Sequence, residues 1–210
     1  MNCDAIASWY RWIEYAGFGR ELERRRCELI EEVANAERVL LLGDGDGRFL
    51  RSFLDRNRKA AIDYVELSGR MIELARARTA SDRVRFCKGD ARSMPLPRAH
   101  YDLIVTHFFL DCFNAAEAEA LVARIAEAAA PDALWLISEF RQPVRGWQAL
   151  WARAWLRTLY FFFHVTTGLK TRRLVDHHPL LESQGFRLIR FESSRFGLLA
   201  SELWTCGIRQ

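Results

Sequence analysis

Apolar residues in this chain come in short blocks, and the spacing inside the blocks changes between helical and strand-like. Leu22, Leu29, Ile30 and Val33 fall on one helical face of residues 20–36. Val39-Leu40-Leu41-Leu42 is a continuous apolar run, the pattern of a parallel strand buried on both faces. Gly43 to Gly47 turn the chain, and Arg48–Arg58 reads as a helix. Ala60–Glu66 reads as a strand, and Ser68 caps a helix running to about Arg78. Val84–Lys88 and Tyr101–His107 are the next two strands. Asn114, with Glu117 three residues later, opens an Ala-rich helix to about Ala130, and Ala133–Phe140 is a further strand. This alternation predicts an α/β fold with a doubly wound sheet and helices on both faces.

The last third departs from the rhythm. Residues 144–164 read as one long aromatic helix, with Trp147, Trp151, Trp155, Leu159 and Phe163 at every fourth position and Arg145, Arg153 and Arg157 beside them. Asp176 and Gly185 bracket a short helix. Phe186–Ser193 and Leu199–Gly207 then read as strands with too little chain between them for a crossover helix, so they pair antiparallel.

Composition narrows the class. A chain of 210 residues that is 50% hydrophobic and 28% charged is an ordinary globular domain, and no apolar run approaches the roughly 18 residues of a membrane span. Met1-Asn2-Cys3-Asp4 lacks the basic start of a secretory signal. Cys3, Cys27, Cys87, Cys112 and Cys206 are an odd number, widely spaced and without a CxxC pair, which points away from disulfides and zinc clusters and towards the cytoplasm. All but three of the 31 basic residues are arginine, yet a net charge of +4 spread along the chain does not demand nucleic acid.

Three places carry chemistry. Gly43-Asp44-Gly45-Asp46-Gly47 follows a buried strand, where open α/β sheets bind ligands. A dinucleotide fingerprint needs a small residue where this chain has Arg48 or Leu50, and the Gly-Lys-Ser/Thr of a phosphate loop is absent. Asp44 and Asp46 repel a pyrophosphate and suit a cationic ligand; S-adenosylmethionine brings an ammonium and a sulfonium. Glu66 ends the second strand about 20 residues further on, placed to accept hydrogen bonds from ribose hydroxyls. Asp90 follows the third strand, where its carboxylate can meet an adenine amino group and the Ala91 amide a ring nitrogen; an Asx turn is the plainer reading.

Taken in order, the loop 43–47, Glu66, Gly89-Asp90-Ala91, the strand 101–107 and the terminal antiparallel pair resemble a class I S-adenosylmethionine-dependent methyltransferase. The resemblance implies a Rossmann-like seven-stranded sheet in the order 3-2-1-4-5-7-6, with strand 7 antiparallel. It implies cofactor contacts from Gly43, Asp44, Gly45, Gly47, Glu66, Leu67, Met71, Asp90, Ala91 and Thr106. Tyr10 or Tyr15 of the aromatic N-terminal segment closes over the cofactor, unless that segment is simply packed on the sheet. Relatives place an acidic residue where this chain has Leu41, so the methionyl ammonium needs another partner, such as Asp44. Thr106-His107-Phe108-Phe109-Leu110-Asp111 lacks the Asp/Asn-Pro-Pro-Tyr/Phe motif of nucleic-acid amino methyltransferases. It is closer to the small-molecule group that includes the ubiquinone and menaquinone biosynthesis enzymes.

The expected activity is methyl transfer to a small apolar or aromatic acceptor, quinone-precursor-like or lipid-like. Methylation of RNA, and a non-catalytic cofactor-binding or membrane-associated role, are the alternatives. His107 is the first base candidate and Asp111 the second, against a packed histidine and a capping aspartate. The domain spans 1–210, with residues 1–36 as a helical N-terminal segment and 141–178 as a helical lid insertion; the aromatic helix 144–164 is a lid, a peripheral membrane contact or a dimer contact. Monomer and homodimer are both open. Adjacent histidines on a helix point apart, so Asp176-His177-His178 predicts no metal site.

Overall fold

The computed structural model describes residues 18–141, 175–194 and 197–207. Helix α1 (Glu21–Cys27) leads through a 3-10 turn (Glu31–Val33) into β1 (Arg38–Leu42). Then come α2 (Arg48–Arg56), β2 (Ala61–Glu66), α3 (Gly69–Thr79), β3 (Val84–Lys88) and β4 (Tyr101–His107). A second 3-10 turn (Leu110–Cys112) precedes α4 (Ala115–Ala128) and β5 (Ala129–Phe140). Helix α5 (His178–Ser183) and the pair β6 (Phe186–Ser193) and β7 (Leu199–Cys206) close the described fold. The strands form one sheet in the order β3-β2-β1-β4-β5-β7-β6. β7 runs antiparallel to both β5 and β6; the other neighbours pair parallel. Tyr10, Tyr15 and the segment 144–164 lie outside the described residues. Among the described residues, no helix is long and apolar enough to cross a membrane.

The unbroken apolar run of β1 is explained by burial on both sides. Leu40 and Leu42 point to the core under α4, together with Ile104, Trp135, Leu121 and Ile125. Val39 and Leu41 point to the opposite core with Leu103, Val105 and the α2 residues Phe49, Leu50 and Phe53. Each fully buried side chain of this kind contributes about 1.5–3 kcal/mol. The expected helix over 20–36 is in fact two elements, since α1 stops at Cys27. Leu22, Leu29, Ile30 and Val33 are all buried nonetheless, because a helix and a 3-10 turn deliver them to the same side.

Local capping sets the register of the helices near the cleft. The Ser68 hydroxyl accepts from the Met71 N–H at 3.1 Å, which starts α3. Asn114 and Glu117 exchange backbone and side-chain hydrogen bonds of 3.0 and 3.1 Å, a full capping box for α4. The α1 helix is clasped from below: the hydroxyls of Ser138 and Ser201, on β5 and β7, both donate to the Arg25 carbonyl, at 3.0 and 2.6 Å. That clasp fixes where the next residue, Arg26, enters the fold.

Gly47, the N-cap of α2, has φ +78, and a Cβ there would lie 2.7 and 2.8 Å from Cβ and Cα of Ala75 on α3. Left-handed backbone costs an L-residue about 1–2 kcal/mol, and the clash adds about 1–3. We expect Gly47→Ala to lower stability by about 2–4 kcal/mol in urea unfolding, because the two helices must part to admit one methyl.

Candidate active site

An open cleft of about 800 Å³, its mouth included, lies at the carboxyl ends of β1, β2, β3 and β4. Gly43, Asp44, Gly45, Glu66, Leu67, Met71, Asp90, Ala91 and His107 line it, so most of the residues singled out from sequence converge there. Gly47 is not among the lining residues and serves helix packing instead. Thr106 is wholly buried, its hydroxyl accepting from the Trp135 indole N–H at 3.0 Å, and Asp111 is not part of the cleft lining.

The glycine loop holds two aspartates in different electrostatic settings. Asp46 is pinned by Arg48 and Arg78, both at 2.9 Å. Burial pushes its carboxyl up, but the two guanidiniums outweigh burial and hold it below its ordinary value. Asp44 is buried in the cleft. One oxygen accepts from the Leu50 N–H at 3.1 Å, and the other has no hydrogen-bond partner among the described residues. Burial pushes this carboxyl up to about 7, against the smaller opposing pull of the Leu50 N–H and Arg26. The loop is held open beside it: the Tyr64 hydroxyl donates to the Gly45 carbonyl at 2.5 Å, and the nearest atom to a Cβ on Gly45 would be the Met71 sulfur, 4.0 Å away.

Glu66 stands at the end of β2 with 9% exposure. Burial raises its carboxyl above the usual carboxylate range, while the N–H groups of Ser68, Gly45 and Leu67 act in the other direction. Asp90 meets its neighbour Arg92, whose guanidinium sits 2.7 Å away and holds the carboxyl low. Arg92 also reaches Glu117 at 2.7 Å and so bridges the cleft rim to α4.

The far wall is aromatic. Phe108 takes φ +52 directly after β4, an outlier for a bulky residue and the kind of strain that gathers at ligand sites. The Arg26 guanidinium lies 5.2 Å from the centroid of its ring. Phe109 covers Gly43 so closely that a Cβ there would overlap its ring, and Phe109 and Phe113 meet edge to face at 5.1 Å. Glu139, buried on β5, sets this wall by accepting from the N–H groups of Phe109 and Leu110 at 3.0 and 2.8 Å. Burial raises its carboxyl well above the ordinary value, and the nearby Asp111 carboxylate pushes the same way. His107 is 2% exposed, packs against Phe49 at 4.5 Å, and has no hydrogen-bond partner for either ring nitrogen among the described residues. Burial, then Arg26, depress its basicity well below the usual histidine value, which keeps the imidazole neutral.

Arg26 is the lining residue that sequence reasoning missed: at 5% exposure, it brings a cation to the cleft. Phe108, Phe109 and Phe113 stood in the expected post-β4 segment without an assigned role. The two histidines are the other surprise. His177 lies outside α5 as its N-cap and His178 opens the helix, and both rings turn to one carboxylate, that of Glu202, rather than apart.

The fold and this cleft define a Rossmann-like methyltransferase domain with the sheet order of class I. The cleft's acidic lining, Asp44 and Glu66 among the strand-end residues, is of the kind that suits a cationic ligand carrying ribose hydroxyls and disfavours a pyrophosphate. Residues 39–132 match the family described as Methyltransferase domain. That match spans the glycine loop, Glu66, Asp90 and β4, and likens this central part of the chain to methyltransferase domains. Two curated relatives are both described as Malonyl-[acyl-carrier protein] O-methyltransferase. The one from Priestia megaterium is 37% identical over 76 residues, 36% of this chain and 27% of the relative. The one from Halorhodospira halophila is 34% identical over 106 residues, 50% of this chain and 36% of the relative. The chain thus matches about a third or less of their length. Among solved structures, a chain from the complex between the Haloferax volcanii Trm112 methyltransferase activator and a methyltransferase superposes with a TM-score of 0.73. It is 14% identical and covers 97% of each chain.

Proposed function

We propose that this protein transfers the methyl group of S-adenosylmethionine to a small acceptor with an apolar or aromatic body. The observation that carries the reading is the buried Glu66 carboxylate at the end of β2, facing the same cleft as the open Gly45 and the Asp44 oxygen without a partner. In this reading Glu66 holds the ribose, Met71 and Ala91 flank the base, Asp44 meets the ammonium, and Arg26 meets the methionyl carboxylate. When bound, S-adenosylmethionine supplies an electrophilic methyl on a sulfonium.

The chain's own work is placement and drying. Phe108, Phe109 and Phe113 hold an apolar acceptor and exclude water, and orientation of this kind is worth several kcal/mol of barrier. His107 lines the cleft and is the first base candidate for a phenol or enol, with burial and Arg26 opposing its protonation. Asp111 stays the second base candidate, from outside the residues that line the cleft.

A carboxylate acceptor is the second reading. The names of the two relatives suggest a malonyl thioester, and the buried Arg26 is the observation that favours an anionic group in the cleft. Such an acceptor needs no base. The test is incubation of the purified chain with methyl-labelled S-adenosylmethionine and two acceptor series, hydroquinones and malonyl thioesters. Labelled hydroquinone ether or ring-methylated product supports the first reading, and labelled malonyl ester alone replaces it with the second. Cofactor binding with no label transferred to either series overturns the proposed acceptor classes.

A further inference from the structure

On β7 and at the start of α5, His177, His178 and Glu202 bring three ligand atoms within 4.8 Å of one another. His177 Nε2 lies 2.9 Å from one oxygen of Glu202, and His178 Nε2 lies 2.9 Å from the other. None of the three lines the cofactor cleft. Among the described residues this is the group of His, Cys, Asp and Glu side chains with metal-ligand spacing. We propose that it binds one divalent transition-metal ion, with His177, His178 and Glu202 as the protein ligands.

Four features of the site support this. The ligand atoms are borderline-soft nitrogens and one hard oxygen, a set that suits Zn²⁺ and its first-row neighbours rather than Ca²⁺ or Mg²⁺. Metal–ligand bonds of about 2.0–2.2 Å put adjacent ligands of a tetrahedral ion about 3.3 Å apart; the 2.9 Å contacts open slightly to reach this, and the widest of the three separations, within 4.8 Å, closes by rotation of the exposed His178 ring. The supporting shell exists. The Trp204 indole N–H donates to Glu202 Oε2 at 2.9 Å, and the His178 ring meets Trp204 edge to face at 4.9 Å, which fix carboxylate and imidazole in place. Finally, the site has a wet side: the side chains of His177 and Glu202 are 8% and 1% exposed, but that of His178 is 27% exposed. Water can enter there as a fourth ligand.

The position gives the ion a mechanical role. Glu202 is in the middle of β7, paired with Ile137 of β5, while the histidines start α5. A bound ion therefore ties the start of α5 to β7, the strand beside the sheet's edge. A metal takes the Nε2 lone pair of each ring, so each imidazole binds it as the tautomer that carries its proton on Nδ1.

The test is independent of methyl transfer. Protein stripped with EDTA is titrated with Zn²⁺ alone, and with Co²⁺ to read the coordination geometry by visible absorption. We expect one ion per chain, a Co²⁺ spectrum of low coordination number, and a rise in melting temperature at about a hundred times the dissociation constant. His178→Ala and Glu202→Gln should each abolish the Co²⁺ bands and weaken Zn²⁺ binding at least about tenfold, and Trp204→Phe should weaken it about 10-fold or more through the lost indole bond to Glu202. His178→Ala, the most exposed of the ligand changes, should still bind S-adenosylmethionine, which separates loss of the metal from loss of the fold. Failure to bind Zn²⁺ stoichiometrically, or binding that His178→Ala leaves unchanged, overturns the proposal.

Discussion

Glu66→Ala is expected to weaken binding of S-adenosylmethionine by about 10²-fold or more in calorimetric titration. The estimate follows from the count of hydrogen bonds. A strand-end carboxylate accepts from two ribose hydroxyls, and bonds to a charged group contribute about 1.5–3 kcal/mol each. Losing both exceeds the 1.4 kcal/mol of a tenfold change at least twice over. Glu66 also accepts from Ser68, at 2.9 Å, so truncation loosens the turn into α3 as well as the ribose contact. Glu66→Gln separates the two effects. Its amide oxygen keeps one acceptor for the turn, and its loss of affinity should fall between wild type and alanine. Both variants should retain the helical circular dichroism of the parent. Affinity within about threefold of wild type for folded Glu66→Ala would remove the ribose contact, and with it the observation on which the methyl-transfer reading rests.

The parts of this molecule that were legible in sequence are those decided locally. Val39 to Leu42 announce a strand buried on both faces because an edge or surface strand would alternate. Ser68 and the Asn114–Glu117 pair place helix starts because the capping bond spans only three residues. The terminal hairpin follows from a connection too short for a crossover. Glu66, Asp90 and the glycine loop follow because parallel topology delivers successive strand ends to one edge.

What sequence could not show depends on contacts between distant residues. Arg26 reaches the cleft because Ser138 and Ser201, 113 and 176 residues away from Arg25, clasp the α1 backbone. No periodicity in α1 distinguishes it from Arg24 or Arg25. Thr106 was read as a cofactor contact by its place on β4, but the partner that takes its hydroxyl, Trp135, lies on the next strand over. His177 and His178 were read as diverging because a helix was assumed through both. The helix begins between them, and Glu202 lies 24 residues further on.

Asp44 makes the sharpest prediction about pH. The Leu41 side chain is buried in the core, and within the glycine loop Asp44 alone brings a carboxylate to the cleft lining. Its carboxyl titrates at about 7 in the empty cleft, against 3.8 unperturbed. The folded protein therefore holds a proton that the unfolded chain has already released, and stability declines as pH rises between those two values. The integrated cost is about 4 kcal/mol above pH 7. A ligand ammonium at the open oxygen stabilises the ionised form and recovers part of that cost. Binding then requires Asp44 to lose its proton, so cofactor affinity should be level above about pH 7 until the ligand's own ammonium titrates, and should fall tenfold per unit below it. At pH 6 the affinity should be about tenfold below the plateau, and titrations near pH 6 in buffers of different ionisation enthalpy should show close to one proton released per ligand bound. Asp44→Asn should bind about 10- to 100-fold more weakly at pH 7.5 and lose the pH dependence, since a neutral amide gives up the charge-assisted bond. A slope that persists in Asp44→Asn would assign the titration to another group, and a flat wild-type profile between pH 5.5 and 7.5 would remove Asp44 from the ammonium site.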